Sequence, residues 1–142
     1  MKNYTTREIL LMVFLIAGKI VGKTKIQKLF YLLEREQKIN IGVPFTVYLY
    51  GPFSRQLNKE VEILEHDGVL QCIPNSTYSH DVYYEYNISD NGMKKAMKLW
   101  ESLPTDVKEK IIKHVSKFNS MTPTEIVNYV YDNYPDAKPV NE

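Results

Sequence analysis

The segment Leu64-Glu65-His66-Asp67-Gly68-Val69-Leu70-Gln71-Cys72-Ile73 decides how this chain is read. A stripe of apolar residues at helical spacing, Phe53, Leu57, Val61 and Leu64, ends inside it and predicts a helix over about 53–67. Gly68 follows as a C′ glycine, the residue that takes the left-handed turn at a helix end without a steric cost. Val69 to Ile73 then reads as a strand. Pro74 to Asp81 is polar and turn-rich, and Val82 to Ile88 reads as a second strand, so the pieces predict a β-hairpin with a long tip. Ser89-Asp90-Asn91-Gly92 opens the next helix, expected to run to about Ser102.

Working outward, Thr5-Thr6-Arg7-Glu8 fits a capping box that opens a first helix over Thr6 to Ala17. That helix is apolar nearly all round, which predicts a central, buried position. Its nine-residue apolar run, Ile9 to Ala17, is too short to cross a bilayer, which needs about 20 residues. No small-x-small cleavage pattern follows it, so a core helix is expected rather than a signal peptide. Gly18 to Gly22 reads as a turn. A second helix covers about Lys23 to Gln37, with Ile26, Leu29, Phe30 and Leu33 inward and Lys28, Tyr31 and Arg35 pointing away. Phe45 to Tyr50 reads as one strand, stopped by Gly51-Pro52. Beyond the hairpin, helices are expected over about Pro104 to Lys117 and from Thr122-Pro123-Thr124-Glu125 to about Asn133.

This order predicts an α+β, mostly helical domain: a winged-helix-like core with a small β-hairpin and additional C-terminal helices. By analogy of element order the hairpin would be the wing. The 142 residues suffice for one domain, expected over 1–135 with 136–142 as a frayed tail. The single Cys72 excludes an internal disulfide and a multi-cysteine zinc site, and with the membrane argument it predicts a cytoplasmic protein.

A net charge of +1 hides an uneven distribution. Lys19, Lys23, Lys25 and Lys28 cluster with no acid between Glu8 and Glu34. At a helix N-terminus such a cluster suits phosphate. In the third helix Ser54, Arg55, Gln56, Asn58 and Lys59 come first and Glu60, Glu62, Glu65 and Asp67 follow. Only the N-terminal half can face DNA, because the carboxylates of the second half would meet phosphate. One reading is therefore a regulator that touches duplex DNA through Lys23, Lys25, Lys28, Arg55, Gln56 and Lys59. The other is a module that binds a protein through Tyr31, Glu62, Glu65 and Tyr84, since acidic faces meet basic partners and tyrosines favour interfaces. The last two helices are amphipathic and offer a surface for a homodimer.

Catalytic chemistry finds little support. His66, His80 and His114 are scattered, and none has a second ligand at i+3 or i+4, so no metal and no cofactor are expected. Glu60 and Glu62 fall on different sides of a helix, and Cys72 has no neighbour to lower its pKa. The expectation is a non-catalytic regulatory binding module.

Two stretches carry a family resemblance. Lys25-Ile26-Gln27-Lys28-Leu29-Phe30-Tyr31-Leu32 resembles the Lys-Leu-Gln-Lys-Leu-x-Tyr signature of the Panacea domain, the SocA-like antitoxin family. Tyr48-Leu49-Tyr50-Gly51-Pro52-Phe53-Ser54 is similar to that family's Tyr-Gly-Pro turn, at matching distance. The similarity covers about residues 8–92 and leaves out the last two helices. It implies an antitoxin that neutralises a toxin by binding it, or an adaptor that delivers a protein partner.

Overall fold

The computed structural model describes residues 3–76 and 82–140. It is mixed α+β and mostly helical: α1 (Thr6–Ala17), β1 (Lys19–Val21), α2 (Lys23–Gln37), β2 (Thr46–Tyr48), β3 (Gly51–Phe53), α3 (Arg55–His66), β4 (Leu70–Ser76), β5 (Val82–Ile88), α4 (Asp90–Glu101), α5 (Thr105–Phe118) and α6 (Pro123–Asn133). Both predicted capping boxes are formed. Thr5 caps Glu8 and Thr122 caps Glu125, each with the reciprocal glutamate bond.

α1 lies against α3, α4 and α5, with Ile9, Leu10, Met12, Val13 and Phe14 sealed from solvent. The apolar stripes of α5 and α6 (Ile111, Val115, Phe118, Ile126 and Val130) also face inward and are spent on this core. They are not free to form the dimer surface their amphipathicity suggested.

The structure corrects four sequence expectations. Residues 19–21 are not a turn: β1 pairs antiparallel with β5, Ile20 opposite Tyr86, and completes a sheet of order β1-β5-β4. No three-residue strand carries a periodic signal, and its partner lies far away in sequence. Phe45 to Tyr50 is not one strand. The chain reverses at Leu49-Tyr50, and β2 pairs with β3, so Phe53 leaves the helix stripe and α3 starts later, capped by Ser54. Residues 135–137 are not frayed: they form a 3-10 turn that buries Ala137, and Asp136 bonds Arg35 at 3.2 Å.

The fourth correction concerns α2, whose supposed outer face is inside. Lys25, Gln27, Lys28 and Tyr31 are all buried. α2 is enclosed by β1, β3, α5 and α6. Packed from several sides, α2 turns only its start at Lys23 and, in part, its last turn with Arg35 toward solvent, whatever its polar pattern suggests. Of the predicted hairpin tip, Pro74 to Ser76 instead continue β4 opposite Val82 to Tyr84, and residues 77–81, with Tyr78 and His80, fall outside the described residues.

Candidate functional site

The polar residues of α2 are satisfied one by one by backbone from distant segments. The Gln27 amide accepts from Ser54 N–H at 2.8 Å and donates to Ser54 C=O at 3.0 Å. Lys28 Nζ donates to Pro52 C=O at 3.2 Å, and Lys25 Nζ donates to Asn119 C=O. Gly51 sits at φ +96°, a conformation that favours glycine, and an added Cβ would lie 3.1 Å from Tyr131. The two stretches that carry the Panacea-like resemblance are thus one physical unit. Gln27 and Lys28 of the first clamp Pro52 and Ser54 of the second, and this aims both the β2–β3 turn and the start of α3.

On the opposite side, α6 is tied to α2 by its tyrosines. Tyr129 and Tyr134 hydroxyls donate to Glu36 Oε2 at 2.6 and 2.9 Å, and Lys117 stands 3.6 Å from the same carboxylate. Burial alone would raise the Glu36 pKa, but these hydroxyls and the Lys117 charge outweigh it and hold the carboxyl below its ordinary value. Tyr31 stacks edge-on against Phe45 and Tyr134 and accepts from Arg35 at 2.9 Å, and burial raises its pKa. His114 Nε2 lies 2.8 Å from Leu29 C=O and must carry the proton there. Burial lowers the pKa of the ring.

These contacts reassign several predicted site residues. Lys25, Lys28 and Tyr31 belong to the interior and are not free to touch a flat DNA backbone or a protein surface. Their helical spacing gave no sign of this, because it cannot register segments that close over them. Lys23, Arg55, Gln56 and Lys59 are exposed, as are Glu62 and Glu65. Tyr84 is partly exposed, with the Lys23 ammonium over its ring. Ser54 is a buried cap.

What the structure does bring together is a cavity of about 450 Å³ between α2, the start of α3 and the β2–β3 hairpin. Lys23, Lys28 and Arg55 line it, and among the described residues no carboxylate does. Gln27 and Asn58 add amides, and Tyr48, Tyr50 and Phe53 add rings. Lys28 is 2 % exposed and forms no ion pair among the described residues. Burial pushes its pKa down from 10.5 to about 8.

Above the cavity Val47, Tyr48, Leu49 and Tyr50 stand consecutively in solvent, Leu49 at 73 % and Tyr50 at 65 % exposure. Sequence reading took this run for an ordinary strand. The missed signal was four large apolar residues before a Gly-Pro turn with no polar alternation. A second, smaller cavity of about 250 Å³ shares Thr24 and Tyr50 and continues toward Val127 on α6.

Among the described residues no three of His, Cys, Asp and Glu converge as a metal-ligating group. No helix among them is long and apolar enough to cross a membrane.

No protein-family model matches the chain. Uncharacterized protein YwgA of Bacillus subtilis (strain 168) is 28% identical over 83 residues, 58% of this chain and 49% of that protein. The match therefore spans about half the length of this curated relative.

Proposed function

We propose that this chain is a non-catalytic binding module that holds a protein partner on the β2–β3 hairpin and the groove beneath it. The observation that carries the reading is the exposed run Val47-Tyr48-Leu49-Tyr50. Contiguous apolar side chains in water cost solubility, and where they persist on a surface they mark interaction sites. Tyrosine and leucine at a turn, flanked by cations, make an apolar centre with a polar rim. The class of function fits what the Panacea-like motifs imply, neutralising or delivering a protein by direct binding.

Duplex DNA, the competing reading, loses two of its six residues. Lys25 and Lys28 are interior, which leaves Lys23 on α2 and Arg55, Gln56 and Lys59 on α3, where Glu62 and Glu65 are exposed on the same helix. Favouring a winged-helix-like regulator, β1 falls between α1 and α2 and pairs with the last strand of the hairpin. That supports the architecture without supplying the phosphate contacts.

The test compares wild type with Leu49→Asp/Tyr50→Asp, both checked by circular dichroism. The expected result is a stoichiometric protein partner that co-purifies with wild type and not with the variant. Fluorescence anisotropy against mixed-sequence duplex DNA should stay flat at low salt. Identical co-purifying proteins for both chains would overturn the proposal. So would salt-steep DNA binding that Arg55→Glu/Lys59→Glu abolishes.

A further inference from the structure

We propose that the cavity between α2, α3 and the β2–β3 hairpin is a binding site for a small organic phosphate bearing a planar ring, of nucleoside monophosphate size. The inference shares Tyr48 and Tyr50 with the protein-partner reading but rests on the cationic wall of the cavity, and calorimetry with nucleotides tests it separately from co-purification of a partner.

Four observations converge on the phosphate end. Three cationic side chains, Lys23, Lys28 and Arg55, share a cavity that no carboxylate among the described residues lines. Lys28 is almost wholly buried, yet among the described residues it meets one neutral carbonyl and no counter-ion. A buried charge without a partner costs several kcal/mol of solvation, and a bound anion would repay it. Lys23 and Thr24, the first residues of α2, line the same cavity. Gly22 gives that helix no side-chain cap and its first turn holds no acid, so its leading N–H groups and the positive end of the helix stand unneutralised. Arg55, at the start of α3, brings a planar fork that matches phosphate oxygens two at a time.

The other end of the cavity calls for a ring. Tyr48 and Phe53 lie 5.9 Å apart, tilted at 44°, and Tyr50 closes the same rim. Stacking on such rings is tolerant of base identity. Gln27 and Asn58 place amides on the wall, and Asn58 is partly exposed there. The volume of about 450 Å³ lies within the range of small-molecule sites and exceeds what a lone phosphate needs.

The experiment is isothermal titration calorimetry of the full chain in phosphate-free buffer. The ligands are AMP, GMP, CMP and UMP, with the matching nucleosides and inorganic phosphate as controls. At least one nucleotide should bind at least tenfold tighter than its nucleoside and than inorganic phosphate. Arg55→Ala, on an exposed residue that leaves the fold intact, should weaken it at least tenfold. Lys28→Met, verified as folded by circular dichroism, should do the same. No heat with any nucleotide at millimolar concentration would overturn the proposal. So would binding that both variants retain, which would place the ligand elsewhere, or inorganic phosphate binding as tightly as the nucleotides.

Discussion

Lys28 makes the stability of this protein depend on pH in a direction that Lys28→Met should erase. In the unfolded chain the ammonium keeps its proton up to about pH 10.5, and in the folded protein only up to about pH 8. Between those values the unfolded state binds more protons, so the Lys28 contribution to stability rises with pH. Below pH 8 the side chain is charged in both states and the folded protein carries the full cost of burying it. At about 1.4 kcal/mol per pKa unit, that cost is about 3 kcal/mol at pH 7 and about 1 kcal/mol at pH 10. Methionine keeps the length and removes the charge, but it leaves the Pro52 carbonyl without its donor. That loss costs about 1–3 kcal/mol and does not depend on pH.

The variant should therefore range from neutral to about 2 kcal/mol more stable than wild type at pH 7. The advantage should shrink by about 2 kcal/mol at pH 10 whatever the carbonyl costs. Urea unfolding in phosphate-free buffer at the two pH values, followed by Trp100 fluorescence and far-UV circular dichroism, measures the difference. A stability difference constant to within about 0.5 kcal/mol would refute the buried ammonium and the reasoning built on it.

Three further outcomes are expected. Gln27→Ala strips both backbone bonds from buried Ser54 and should cost about 2–4 kcal/mol in urea unfolding, at about 1–2 kcal/mol for each unmet group. Glu36→Gln should lower stability at neutral pH by weakening the acceptor shared by Tyr129, Tyr134 and Lys117. Because the folded Glu36 pKa is depressed, wild type should hold that advantage above the ordinary glutamate pKa and lose it as pH falls through the folded one, as thermal melts from pH 7 to 3 would show. Gly92→Ala sits in the first turn of α4, where alanine ordinarily gains about 1 kcal/mol, yet its Cβ would collide with the Val69 carbonyl. A fall in Tm is expected, and a rise would show that the packing of α4 against Val69 has room for a methyl group.

Much of the architecture was legible in the sequence because its determinants are local. Thr5/Glu8 and Thr122/Glu125 set two helix starts within four residues, and the stripes of α3 and α5 follow the helical period. Gly68 closes α3 and leads into β4 by backbone conformation alone. The site was far less legible. Lys23 and Arg55 were named as candidates, but the cavity that joins them to Lys28 exists only once β2 and β3 fold back over α2. Phe45 and Tyr134 close over Tyr31, and the β2–β3 turn carries Leu49 and Tyr50 into solvent.

The sequence by itself determined where most helices begin and end and which helix faces must be covered, since capping and periodicity act over a few residues. Tertiary structure decided which polar residues are covered as well. Lys25, Gln27 and Lys28 carry the pattern of a solvated helix face, and only Asn119, Ser54 and Pro52, brought in from distant segments, make their burial affordable. A buried polar group is tolerated where its hydrogen bond is met, and the partner that meets it is a property of the fold.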